Sequence, residues 1–166
     1  MKSIRPAVFH ELPLVRDLAL HIWPHAYGDI LTPDQLTYML GKIYSLPSLQ
    51  HQFSDLNHSF IFIVDNNIPV GFATFSPKDG DNSVYRLHKI YVMPQQQGGG
   101  TGKMLLQYII SFAKNAEAQM LELNVNRYNK ARYFYEKQGF IIASEVDIDI
   151  GEGYFMNDFI MQLKLK

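Results

Sequence analysis

Val92-Met93-Pro94-Gln95-Gln96-Gln97-Gly98-Gly99-Gly100-Thr101-Gly102-Lys103-Met104-Leu105-Leu106 is the stretch on which the reading of the fold turns. Four of the five positions from Gly98 to Gly102 are glycine, behind an apolar run and ahead of a helical pattern. Glycine loses more backbone freedom on folding than any other residue, so the cluster is costly as mere connection. It offers a backbone whose N–H groups can converge on an anion at a helix N-terminus. A plain glycine-rich turn is the bland alternative, and spacing alone leaves it open.

Outward from this turn, Lys103, Met104 and the residues to 114 predict a helix. Met104, Leu105, Tyr108, Ile109, Phe112 and Ala116 form its apolar stripe. Strands are expected over 84–92 and 120–125, which makes a βαβ unit around the turn. Further upstream, Phe60-Ile61-Phe62-Ile63-Val64 and Val70-Gly71-Phe72-Ala73-Thr74-Phe75 flank Asp65-Asn66-Asn67 and read as a hairpin. A strand over 2–8 opens the chain. Leu12, Val15, Leu18, Ala19 and Ile22 then mark an amphipathic helix that Pro24 should end or kink. Thr32-Pro33-Asp34-Gln35 signals a second helix, with Thr32 as N-cap and Gln35 closing a capping box. Downstream, 129–138 predicts a helix and 140–148 and 154–165 predict strands. The order implies an α/β fold in one domain, 1–166: a central mixed sheet with helices on both faces.

Three phosphate-binding patterns compete for the turn. The P-loop, G-x-x-x-x-G-K-[ST], fails because Gln97 takes its first glycine and Met104 its hydroxyl. The dinucleotide fingerprint lacks its last glycine, and Asn124 to Asn126 stand where its acidic residue should end the next strand. Gln97-Gly98-Gly99-Gly100-Thr101-Gly102 matches Q/R-x-x-G-x-G/A, and residues 87–106 resemble the central block of the GNAT acetyltransferases throughout. A second block, Asn129-Lys130-Ala131-Arg132-Tyr133-Phe134-Tyr135-Glu136-Lys137-Gln138-Gly139-Phe140, resembles the next block of that family. Among its members, the diamine and spermidine acetyltransferases are the nearest in character. The first 58 residues match only as a helical pair.

The resemblance implies acetyl-CoA as co-substrate and an acceptor amine. The backbone N–H groups of Gln97, Gly98, Gly99, Gly100, Thr101, Gly102 and Lys103 would wrap the pyrophosphate. Main-chain groups of Ile90, Tyr91 and Val92 would meet the pantetheine arm and thioester carbonyl. Asn129 would open its helix and bond the pantetheine, and Lys137 joins the coenzyme-binding set. Tyr135 would protonate the departing thiolate, a task suited to a phenol. Packing against Phe134 is the competing reading of Tyr135. Many relatives carry a glutamate as general base near the position of Arg86. Here His88, two residues on, is the candidate, since an unperturbed imidazole titrates near 6.5. A histidine merely packed in the sheet is the alternative.

Composition narrows the rest. Hydrophobic residues make up 47% and charged residues 19%, which argues against disorder. Fifteen basic side chains against sixteen acidic ones give no electrostatic reason to expect nucleic acid or a membrane as partner. Without cysteine, thiolate catalysis and Cys-ligated zinc are excluded. No apolar run approaches the roughly 18 residues of a membrane span, and no signal peptide opens the chain, so a cytoplasmic location is expected. No metal site is expected either, because His21 and His25 lack the intervening glutamate and a third ligand. The family resemblance implies that Trp23, His25, Tyr27 and Asp29, between the two N-terminal helices, border the acceptor pocket; simple packing is the alternative. Asp147, Asp149, Glu152 and Asp158 suit a cationic amine or form a solvated acidic face.

The expected reaction is acetyl transfer to a primary amine of a small molecule, such as a polyamine, by direct attack. Peptide or protein N-acetylation is the neighbouring reading. A non-catalytic acyl-CoA sensor or, more distantly, a nucleotide hydrolase would come from other classes. Relatives often dimerise, and a homodimer is compatible with the resemblance.

Overall fold

A computed structural model describes all 166 residues. It contains seven strands and five α-helices. The strands are β1 (Lys2–Pro6), β2 (Ser59–Asp65), β3 (Ile68–Lys78), β4 (Asp81–Val92), β5 (Met120–Asn126), β6 (Ile141–Gly151) and β7 (Tyr154–Lys164). The helices are α1 (Leu12–Tyr27), α2 (Pro33–Tyr44), α3 (Leu46–Gln50), α4 (Thr101–Asn115) and α5 (Ala131–Lys137). The sheet order is β1-β2-β3-β4-β5-β7-β6. β4 and β5 are parallel, whereas β1/β2, β2/β3, β5/β7 and β6/β7 are antiparallel, so the sheet is mixed as expected.

The chain divides into two compact units. One comprises Met1–Ser76 and Lys89–Ile109, the other Pro77–His88 and Ile110–Lys166. In the first, the bidentate pair of Arg5 with Glu11 fixes the step from β1 towards α1. Leu12, Val15, Leu18, Ala19 and Ile22 of α1 are buried, as the spacing required, and Trp23 is buried beside them. Trp23 Nε1 donates to the Tyr44 hydroxyl at 3.2 Å, and the Tyr44 ring meets Phe72 edge-on at 6.1 Å. Each fully buried large apolar side chain of this kind contributes about 1.5–3 kcal/mol. In the second unit, β4 and β5 align from Val84 opposite Met120 to Leu87 opposite Leu123. Leu121, Leu123 and Met161 are buried there, and the rings of Tyr85 and Phe112 lie 6.2 Å apart.

Three local expectations need correction. Pro24 does not end α1, which runs to Tyr27 and closes with Gly28 N–H on the Pro24 carbonyl at 3.0 Å. Proline leaves only the Leu20 carbonyl without its helical donor, and both Leu20 and Pro24 lie on the exposed face of the helix, where that cost is lowest. The α4 stripe is rotated: Leu105, Leu106, Ile109, Ile110 and Ala113 are buried, while Met104 and Phe112 are 37% and 42% exposed. A stripe starting one residue later, with two adjacent leucines, outweighs the i, i+4 series from Met104 in buried apolar area. Residues 45–58, unassigned in the sequence, hold α3 and a π-helical turn, His51–Asp55. Ser45 caps α3 by accepting from Ser48 N at 3.3 Å.

Candidate functional site

The glycine-rich turn lies wholly in the first unit. At the end of β4, Met93 N donates to Val70 O at 2.8 Å, and Pro94–Gln96 then form one 3₁₀ turn. Gln97 N and Gly99 N are committed inside the loop, to Pro94 O at 3.2 Å and Gln96 O at 3.4 Å. The N–H groups of Gly98, Gly100, Thr101, Gly102 and Lys103 make no hydrogen bond within the protein. Gly98 and Gly100 stand at φ +83° and +79°, with Gly99 between them outside the left-handed region. Alternation of this kind turns successive N–H groups towards one concavity, here at the start of a 15-residue helix. The helix dipole adds about half a positive charge at that point. Thr101 is buried and donates through Oγ1 to Gln96 Oε1 at 3.3 Å, which braces the loop. Lys103 is exposed on the first helical turn.

Along the last residues of β4, Ile90, Tyr91 and Val92 are half-buried. The Tyr91 and Tyr27 hydroxyls share a 2.8 Å hydrogen bond, and the Trp23 ring lies 4.5 Å from Tyr27 and 5.9 Å from Tyr91. Trp23 is thus a packed core residue, whereas His25 and Asp29 are exposed and outside this cluster. Lys89 was not anticipated. It is 9% exposed, its Nζ donates to Gln52 Oε1 and sits over the Tyr44 ring, and burial lowers its pKa to about 8. The signal was present, since Lys89 shares the odd-numbered, inward phase of Tyr85 and Leu87.

The second unit carries Tyr135, Asn129, Lys137 and His88. Tyr135 is 7% exposed, between the rings of Phe134 at 5.4 Å and Phe140 at 5.7 Å. Asn129 Oδ1 accepts from Ala131 N at 2.9 Å, so Asn129 opens α5 from just outside it. Gly139, at φ +100°, ends the segment in the left-handed conformation expected. Lys137 is exposed in the last turn of α5, and His88 is half-buried on β4.

Residues 15–140 match the model of the acetyltransferase (GNAT) family. The chain belongs to that family. It is 37% identical to the [ribosomal protein bS18]-alanine N-acetyltransferase of Haemophilus influenzae over 86 residues, 52% of this chain and 55% of that protein. It is 33% identical to the peptidyl-lysine N-acetyltransferase YjaB of Salmonella typhimurium over 98 residues, 57% of this chain and 59% of the relative. The chain thus spans a little over half the length of these curated relatives. The fold is that of the PaiA N-acetyltransferase of Thermoplasma acidophilum in complex with coenzyme A, with a TM-score of 0.81, 22% identity and 99% of each chain covered.

The polar groups of the second unit are paired with one another. Arg86 pairs with Glu122 of β5 and donates to Asn124 Oδ1. Burial opposes ionisation of Glu122, but Gln162, Arg86 and Lys78 outweigh it and hold the carboxyl below its ordinary range. A carboxylate so compensated stays ionised and is a poor proton acceptor at neutral pH. The C-terminal acidic group also divides. Asp147 pairs with Arg127 at 2.6 Å and Asp149 accepts from Gly151 N, both at the surface, whereas Asp158 is only 4% exposed. A solvated acidic face therefore describes Asp147, Asp149 and Glu152 but not Asp158. No group of three or more His, Asp or Glu is arranged to hold a metal ion, and no helix is long and apolar enough to cross a membrane.

Proposed function

We propose that this chain transfers the acetyl group of acetyl-CoA to a primary amine. The observation that carries the reading is the set of unbonded N–H groups at Gly98, Gly100, Thr101, Gly102 and Lys103, opening a long helix. Such a site asks for a multiply charged anion, and the coenzyme pyrophosphate is one. Gln97 and Gly99 then serve the loop's own shape. Lys103 and Lys137 supply charge to the coenzyme phosphates, and Asn129 bonds the pantetheine.

The chemistry needs no covalent acyl-enzyme. The amine lone pair attacks the thioester carbonyl, and the oxyanion is met by main-chain N–H of the Ile90-Tyr91-Val92 segment. The C–S bond then breaks, and the Tyr135 hydroxyl protonates the thiolate. His88 takes the proton that the amine loses, directly or through water.

A small-molecule amine of the polyamine type is the preferred acceptor. A peptide or protein amine is the second reading, supported by the relatives that act on bS18 and on peptidyl-lysine. Calorimetric titration with acetyl-CoA, with ATP and NAD as controls, tests the first step. Selective binding of acetyl-CoA, followed by acetylation within a panel of amines, polyamines and peptides, is the expected result. Failure to bind would reduce the loop to a turn.

A further inference from the structure

Lys2 stands at the start of β1, opposite Asp65 of β2. Asp65 in turn faces Ile68 at the start of β3, and Val70 O accepts from Met93 N just past β4. The start of β1 and the end of β4 therefore lie at one end of the sheet, three strand spacings or about 14 Å apart. The glycine-rich loop and the lysine side chain close that distance between them. A β-carbon on Gly99 would stand 3.8 Å from Lys2 Nζ. Both residues belong to the first compact unit.

A lysine on an edge strand usually carries its ammonium into water or pairs it with a cross-strand acid. Lys2 is half-buried, and Nζ makes no ion pair and no hydrogen bond within the protein. Asp65, the acid opposite, is paired with the Met1 amino group at 3.4 Å instead. An ammonium offers three donors and no acceptor. The N–H groups of Gly98, Gly100, Thr101, Gly102 and Lys103 in the same loop are likewise donors without an acceptor. A cation among donors that lack acceptors is complemented by a group that only accepts and is negatively charged. Phosphoryl oxygens are such a group, and hydrogen bonds to them are charge-assisted.

We infer that Lys2 is a coenzyme-binding residue whose ammonium pairs with the pyrophosphate, so that β1 supplies a cation to a loop that itself offers main-chain donors. The inference rests on the acetyl-CoA reading and deepens it. Lys2 lies outside residues 15–140, the segment matched to the family, so its place at the loop comes from the fold of this chain. Gly99, the residue it reaches, lies between Gly98 and Gly100, whose positive φ shapes the concavity. The pyrophosphate is therefore the coenzyme charge nearest to Nζ.

The test is calorimetric titration of wild type, Lys2→Met and Lys2→Arg with coenzyme A and with 3′-dephospho-coenzyme A. We expect Lys2→Met to bind coenzyme A about tenfold more weakly, the scale of one charge-assisted contact. Lys2→Arg should keep most of the affinity, and the factor for Lys2→Met should be the same with the dephospho ligand. It should also shrink as added salt shortens the Debye length from about 30 to about 3 Å. The thermal midpoint of Lys2→Met should not move, because Lys2 has no partner within the protein to lose. Equal affinity in wild type and Lys2→Met would overturn the inference, as would a loss that salt leaves unchanged. A loss that vanishes with 3′-dephospho-coenzyme A would overturn it too, by moving the lysine to the ribose phosphate. Failure is separable from failure of the reading beneath it. Wild type that binds no coenzyme A refutes both, whereas wild-type binding matched by Lys2→Met refutes Lys2 alone.

Discussion

Lys89 Nζ donates to Gln52 Oε1 and lies 5.8 Å from the centre of the Tyr44 ring, with no carboxylate paired to it. Gln52 is itself buried and fixed by donating to Ile43 O at 2.9 Å and Ser48 Oγ at 3.1 Å. Burial therefore lowers the pKa of this lysine to about 8, from the 10.5 usual for the side chain. The folded chain binds fewer protons than the unfolded one between those values, so stability rises with pH across that window. The shift corresponds to about 3 kcal/mol in all. We expect the stability of wild type minus that of Lys89→Met, from urea unfolding, to grow from pH 8 to 10.5. A flat difference would mean that the ammonium is solvated.

Arg86 and Glu122 carry the opposite lesson, for here a buried charge has its partners. Removing one partner leaves an uncompensated charge, which typically costs about 3–5 kcal/mol. Lys78, at 3.5 Å, and Gln162, at 2.8 Å, remain to Glu122 and moderate that loss. Arg86→Met should lower the denaturation midpoint, and adding Glu122→Gln should restore most of it. Additive losses in the double variant would show that the pair is not coupled.

Both buried charges mark the limit of what was legible in the sequence. The βαβ unit, the 59–75 hairpin and the Thr32 cap follow from periodicity and turn chemistry, and Thr32 Oγ1 does accept from Gln35 N at 3.2 Å. The sharp turn ahead of α4 was legible because glycine at Gly98 and Gly100 suits the positive φ the backbone takes there. The partners of Arg86 were not, because Glu122 lies 36 residues away and Gln162 a further 40. Only the β4/β5/β7 register brings them together, and one sequence does not announce register. That α1 continues past Pro24 was not legible for a related reason, since the cost of a proline depends on which face it occupies.

Gly71 is needed for space. A β-carbon there would stand 2.7 Å from the Tyr91 carbonyl oxygen and 3.0 Å from side-chain atoms of both Ile63 and Val92. The first contact is with backbone, which cannot turn aside as a side chain does. Gly71→Ala should destabilise by roughly 1–3 kcal/mol, the usual penalty of overpacking. Because the displaced strand carries Tyr91, acetyl-CoA turnover should fall further than the lost stability alone accounts for. A variant of unchanged stability would contradict the close approach.

At Gly100 space is not the constraint, since a β-carbon would meet nothing within 4 Å. The left-handed φ costs a non-glycine residue about 1–2 kcal/mol. Gly100→Ala should therefore weaken acetyl-CoA binding modestly. Gly100→Asp adds a carboxylate at the proposed pyrophosphate site and should abolish binding in the same titration. Equal affinities for the two variants would remove the anion from this loop.

Tyr135→Phe separates the two roles of that side chain. The ring contacts with Phe134 and Phe140 survive the change, so stability should hold to within about 1 kcal/mol apart from the hydroxyl's own hydrogen bonding. Loss of a positioned proton donor typically costs about 10²–10⁴-fold. We expect kcat to fall in that range with acetyl-CoA affinity nearly unchanged. An acetyl donor whose thioester carries a more acidic leaving thiol should recover part of the loss, because a better leaving group needs less protonation. Full activity in Tyr135→Phe would return Tyr135 to packing alone and leave the thiolate to be protonated by water.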